Sequence, residues 1–326
     1  MRSSLYTILQ LGASLPAAVM AAIPAPAGNY PELLPNGLGP VLNDGANGGM
    51  NGLPHTPYTY TLRPLSAKVP EHCYNQAQNS NTCQGRTLRV YDIKYADCSK
   101  PIPLCRCSDS PYPIDSLAKE FGRIPIYARQ YVPIISSYNT ASGTGCVAYA
   151  DNFLYLRFHG NCATGTTVLF HEMSHVLDYK WRSTVESDSC VPDNYAKSSW
   201  WESYAQVGVL SAYNFNVRPI NQTVNTNCLK NQLNKVNSQL VNHWTPVAGR
   251  TCQFVWGLRE VCVPGTGCVE TASARVASVA AADAVEVREI KPLPPAIQAK
   301  ADELRRLTDL EAGITSGLIK GKSFRG

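Results

Sequence analysis

The sequence predicts an α+β domain cross-linked by disulfides and flanked by two compositionally different ends. Strand-type and helix-type segments alternate through the middle of the chain, twelve cysteines fall between Cys73 and Cys268, and composition shifts abruptly on either side of that region. Arg86 to Tyr95 alternate as a half-buried strand does, Ile114 to Phe121 have helical spacing, and Gln130 to Ser136 are strand-like. Val147 to Tyr149 and Phe153 to Phe158 are rich in aromatic and branched residues and predict two more strands. Val168, Leu169, Met173, Val176 and Leu177 then recur at helical spacing, with Thr164-Gly165-Thr166-Thr167 supplying N-cap candidates. A second amphipathic helix, opening with serines, is expected from Ser198-Ser199 through Leu210.

The ends set the compartment. Residues 1–22 combine Arg2, an apolar stretch through Leu15, and small residues at Ala18, Ala21 and Ala22, the pattern of a secretory signal peptide cleaved near Ala21 or Ala22. The stretch is too short, and broken by Pro16, to anchor the chain in a membrane, and no later segment reaches spanning length. Residues 23–70 are rich in Gly, Pro and Asn and are expected as an irregular lead or short pro-segment. Residues 71–270 suffice for one domain with its own core. Residues 271–326 hold alanine, valine and charges but no cysteine, and are expected to be disordered or partly helical.

In an exported protein the even set Cys73, Cys83, Cys98, Cys105, Cys107, Cys146, Cys162, Cys190, Cys228, Cys252, Cys262 and Cys268 implies up to six disulfides, with connectivity left open by spacing. Cys105-Arg106-Cys107 has one intervening residue, which does not make a zinc knuckle. Asn221-Gln222-Thr223 is a glycosylation acceptor. The net charge of +5 is modest, and the region from Thr271 onward nearly balances nine basic against seven acidic residues, so nucleic acid is not an expected partner. A monomer is expected.

Chemistry concentrates at His171-Glu172-Met173-Ser174-His175. On a helix, residues four apart share a face, so two imidazoles can reach one zinc ion while Glu172 serves as general base toward its water. His55, His72, His159 and His243 are read as surface or packing residues. Asp178 follows His175 by one turn, where it either holds a ligand ring through its other nitrogen or is a solvated carboxylate. A catalytic zinc needs a third protein ligand. The residues after His175 exclude the metzincin continuation, leaving Glu202, the sole carboxylate of the second amphipathic helix. Its burial there is costly without a positive partner. The alternative is an exposed first-turn residue stabilised by the helix dipole.

From His171 to Gln206 the pattern resembles the glutamate-zincins, in particular the catalytic domain of the anthrax lethal-factor type. That family has a His-Glu-x-x-His-x-x-Asp helix, then a helix with Glu-x-x-Ala, and a catalytic tyrosine seven residues before that glutamate. Asp178, Glu202-Ser203-Tyr204-Ala205 and Tyr195 stand at those positions, while Gln206 replaces a second glutamate. The resemblance implies a zincin-like fold, with His171, His175 and Glu202 as metal ligands, Glu172 as base, Tyr195 as oxyanion donor and an extended peptide paired along a cleft strand. The export signal, cysteine content and low-complexity tail together resemble fungal conidiation-specific secreted proteins.

The expected function is therefore a secreted, extracellular zinc-dependent endopeptidase with Zn2+ as cofactor and a peptide or protein substrate. The alternative is a secreted zinc-binding protein of the same fold, on a spore or cell surface or directed at a host, with little or no peptidase activity. A serine hydrolase is disfavoured by the lack of Gly-x-Ser-x-Gly, and a cysteine hydrolase by the even cysteine count.

Overall fold

The structure is a computed structural model that describes residues 30–44, 48–64, 66–78, 83, 88–139, 145–151, 154–162, 165–177, 188–253, 256–269 and 324–325. The expected signal peptide, Asp178, and residues 271–323 of the tail lie outside the described residues. Along the chain come helix α1 (Gly39–Leu42), strands β1 (Tyr58–Leu62) and β2 (Val69–Pro70), helix α2 (Glu71–Gln78), and strands β3 (Leu88–Tyr95) and β4 (Ile102–Cys107). Helices α3 (Ile114–Gly122) and α4 (Ile126–Arg129) precede β5 (Ile135–Tyr138), β6 (Cys146–Asp151) and β7 (Tyr155–Gly160). Helices α5 (Thr166–Val176), α6 (Trp200–Asn216) and α7 (Lys230–Trp244) follow, then β8 (Glu260–Val261) and β9 (Phe324–Arg325).

The fold is α+β, as composition and periodicity predict. One mixed sheet runs in the order β1-β3-β4-β5-β7-β6-β9, and β2 pairs with β8 in a small ribbon. The centre, β4 to β5 to β7, is parallel, and the outer pairings are antiparallel. Pro103 is tolerated inside buried β4 because the β5 pairing covers only Leu104 to Arg106, so no ladder bond to β5 is asked of the missing N–H. The strand expected over Gln130–Ser136 begins later, at Ile135. Pro125 starts a helical turn whose bonds continue through Tyr131 and Val132, and Pro133 then ends it.

One face of the sheet carries α5, which packs against β6 and α6, and α6 packs in turn against α7. Every residue of α5 is buried, as is α6 from Glu202 to Tyr213, so the one-sided burial that amphipathic spacing predicts is exceeded in both helices. Their crossing is close. A β-carbon on Gly208 of α6 would lie 2.6 Å from the β-carbon of Ser174 on α5 and would meet its hydroxyl, so glycine sets how near the helices come.

The 23–70 segment is not separate from the domain in packing. Leu34, Leu38, Leu42 and Met50 belong to the main core, and Lys197 pairs with Glu32 at 2.6 Å. Two of its asparagines cap α5: the Oδ1 atoms of Asn51 and Asn43 accept the Thr166 and Thr167 amides, each at 3.0 Å. Gly165, within the stretch expected to supply the cap, is the N-cap and has no side chain to offer. A β-carbon there would run into the Asn43 amide group.

All twelve cysteines pair: Cys73–Cys105, Cys83–Cys107, Cys98–Cys252, Cys146–Cys162, Cys190–Cys228 and Cys262–Cys268. Cys146–Cys162 ties the start of β6 to the turn entering α5, and Cys190–Cys228 ties the segment before α6 to the start of α7. Among the described residues no helix is long and apolar enough to cross a membrane. Where the tail was expected to be disordered or partly helical, its described residues Phe324 and Arg325 form a strand, because β6 offers a free edge to pair with. Asn221 is exposed in a short 3-10 turn, Ile220–Gln222.

Two predictions follow from the packing. Gly208→Ala forces α5 and α6 apart and is expected to cost about 1–3 kcal/mol in urea unfolding. Adding Ser174→Gly should recover most of that loss; unaltered stability in the single variant would contradict the close crossing. On the opposite face of the sheet His72 stacks on Tyr155 with ring centroids 3.9 Å apart, and burial, followed by the Arg157 charge, brings its pKa down from 6.5 to about 4. The unfolded chain takes up this proton near pH 6.5 and the folded chain only near pH 4, so stability falls as pH drops through that window. His72→Phe should remove on the order of 2 kcal/mol of the fall between pH 7 and 4, read from urea midpoints.

Candidate metal centre

α5 holds His171 and His175 one turn apart on the face that meets α6. α6 begins at Ser199, whose Oγ accepts the Glu202 amide at 3.2 Å. Ser199-Trp200-Trp201-Glu202 has the spacing of a capping box, in which Glu202 would reach back to the cap. Instead its carboxylate turns to the two imidazoles. His171 Nε2 lies 3.0 Å and His175 Nε2 3.2 Å from Glu202 Oε2, and the two Nε2 atoms are 3.1 Å apart. All three side chains are buried. Donors around a tetrahedral zinc at its usual bond lengths stand about 3.3 Å apart, so this triangle has the right size for three of four ligands.

The hydrogen bonds behind the triangle fix its chemistry. Asp193 Oδ1 accepts the Ala196 amide at 3.0 Å and Oδ2 accepts Gln206 Nε2 at 2.7 Å. A carboxylate accepts but does not donate, so the Gln206 amide nitrogen faces Asp193 and its oxygen faces His171. That oxygen, 3.1 Å from His171 Nδ1, accepts the ring proton there. The His171 Nε2 lone pair is then left pointing at Glu202. Burial pushes the Glu202 carboxyl up, but hydrogen bonds and charge from both imidazoles outweigh burial and hold it at about 2, so it is ionised. Two acceptors facing each other at 3.0 Å out of water are repulsive unless positive charge lies on the rings or between the three atoms. The donor set fits a divalent cation of borderline character, two imidazole nitrogens and one carboxylate oxygen.

Glu172 stands beside this group without joining it. Both of its carboxylate oxygens are buried with no well-formed hydrogen bond, and burial pushes its pKa to about 8, with His175 opposing and the Glu202 and Asp151 charges adding. The Ala150 amide of β6 lies against it and favours the ionised form only weakly. Tyr195, in the 3-10 turn Tyr195–Ser198 ahead of α6, sets its ring 5.7 Å from that of His171 and donates its hydroxyl to Glu202. Its pKa is raised by burial first and by the Glu202 and Glu172 charges next, so the phenol stays a donor.

The structure thus brings together His171, Glu172, His175, Tyr195 and Glu202. Glu202 is not an exposed first-turn residue. Gln206 and Asp193 orient the His171 ring, while the role expected of Asp178 falls outside the described residues. Gln206 carried a signal, as the departure from an expected glutamate. Asp193 carried none, because its role rests on a bond to a side chain thirteen residues away.

In chelator-treated protein, nitrogen NMR is expected to show neutral His171 protonated at Nδ1. Gln206→Ala should give a mixture of tautomers, and an Nε2-protonated ring in the parent chain would contradict the relay.

A family profile described as "Conidiation-specific protein Con-13" matches residues 36–309. Conidiation-specific protein 13 of Neurospora crassa is 38% identical over 293 residues, which span 83% of this chain and 83% of that protein. No solved structure matches the chain. The matched span takes in the capping asparagines, both site helices and all six disulfides, and the chain belongs to the conidiation-specific protein Con-13 family.

Proposed function

We propose that this chain is an exported zinc protein of the fungal conidiation programme and that its site hydrolyses peptide bonds in the manner of a glutamate-zincin. The observation that carries the reading is the convergence of His171, His175 and Glu202 beside Glu172, a buried carboxylate that no other side chain engages in a well-formed hydrogen bond. Burial raises the Glu172 carboxyl, and a cation held by the three ligands would favour its ionised form, the form that accepts a proton. The export signal and six disulfides support an extracellular setting.

His171, His175 and Glu202 would hold the zinc. Zinc held there would acidify the attacking water and polarise the scissile carbonyl. Glu172 takes the proton from that water and passes it to the leaving amine. Tyr195 swings its hydroxyl from Glu202 to the developing oxyanion, a hydrogen bond that strengthens only as charge builds. Gln206 and Asp193 keep the His171 lone pair aimed inward throughout. β6 runs beside Glu172 and offers backbone groups to an extended peptide.

One observation favours a second reading. The name of the Neurospora crassa relative describes a developmental association and no activity. A zinc-binding protein of the conidial surface, with little or no hydrolysis, would use the same three ligands and leave Glu172 idle.

A single experiment separates the readings: zinc content by mass spectrometry alongside chelator-sensitive cleavage of a mixed peptide library. The peptidase reading expects one zinc per chain and turnover in the parent. Glu172→Gln should keep the zinc and lower turnover by at least about a hundredfold. Zinc without turnover in the parent supports the surface-protein reading. Neither zinc nor turnover defeats both.

A further inference from the structure

β6 is bonded along one edge to β7 and along the other to β9, with Val147 opposite Arg325 and Ala148 opposite Phe324, antiparallel. The second edge belongs to the neighbourhood of the site. α5 packs on β6, and Ala150, two residues beyond the last paired position, sets its amide against the Glu172 carboxylate. A sheet edge is a row of backbone donors and acceptors open to any extended chain, and such a chain binds through main-chain bonds with little demand on sequence. Here the strand found on the edge is the chain's own. Residues 270–323 join it to the body by covalent chain that at full extension would reach roughly 180 Å, and that linkage holds its end at roughly millimolar local concentration. The tail fills the edge to the extent that the dissociation constant of its pairing lies below that concentration.

We propose that the outer edge of β6 is a docking edge for an extended peptide and that the tail strand Phe324–Arg325 occupies it in cis, so that the tail must leave before a peptide can pair alongside Glu172. The docking rests on the sheet alone; the competition with a substrate rests on the peptidase reading.

The test uses the full chain in three forms: parent, Phe324→Ala, and Phe324→Pro with Arg325→Pro. Proline removes the two amide donors of β9, whereas alanine keeps them. Hydrogen exchange over residues 146–151 is expected to speed up about tenfold in the proline form and to stay at the parental rate in the alanine form. A labelled peptide of residues 317–326 should bind the proline form at least about tenfold more tightly than the parent, because the parent's edge is taken. Exchange equal in parent and proline forms, with no difference in peptide binding, overturns the docking. Protection that rises with protein concentration overturns occupancy in cis and assigns the edge to a second copy's tail. If exchange and peptide binding change as expected while no form cleaves a peptide library, the docking stands and the peptidase reading fails. If the forms do cleave, the proline form should show the higher kcat/KM.

Discussion

Three potential ligand atoms brought to one point inside the protein govern the rest of this structure. Two are imidazole nitrogens and one is an oxygen of an ionised carboxylate, with 3.0 to 3.2 Å between them and little access to water. With neither a proton nor a cation between them these groups would repel, and burial deprives them of the solvent that would otherwise ease the repulsion. A cation at the meeting point converts the same arrangement from a cost into an attraction, and binding of that kind adds to the stability of the fold that presents the ligands.

The surrounding chain holds those groups against their repulsion at several depths. Gly208 against Ser174 lets the ligand helices approach. The Asp193–Gln206–His171 relay sets a tautomer, and the Cys190–Cys228 disulfide anchors the segment from which Asp193 projects. Asn43 and Asn51 satisfy the first amides of α5 from a part of the chain remote in sequence. Each of these supports acts through another group, and together they leave Glu172 as the one acid at the centre with no structural duty. That division of labour is what the peptidase reading explains and the surface-protein reading leaves unused.

What the sequence disclosed, and what it hid, follows from the range of each interaction. His171, Glu172 and His175 were legible because helical spacing is local. Glu202 was legible because a carboxylate in an apolar helix needs a reason. Asp193 and the two capping asparagines were hidden because their partners lie elsewhere in the chain, and the disulfide pairings were hidden because spacing does not encode proximity. α7 went unread although Leu233, Val236, Leu240 and Trp244 recur at helical spacing, because asparagine and glutamine between them dominate the segment's composition. The segment from Leu34 to Met50 read as an irregular lead because its glycines and asparagines dominate the composition, although its few apolar residues enter the core. β9 could not be foreseen, since a two-residue strand takes its existence from the edge it pairs with.

The central claim is that the two imidazoles and the Glu202 carboxylate are the ligands of a zinc ion. X-ray absorption at the zinc edge on the purified full chain measures this directly. The account predicts a nearest shell of nitrogen and oxygen only, at about 2.0–2.1 Å, with the outer scattering of two imidazole rings. A shell containing sulfur at about 2.3 Å, or protein that takes up no zinc, would contradict it.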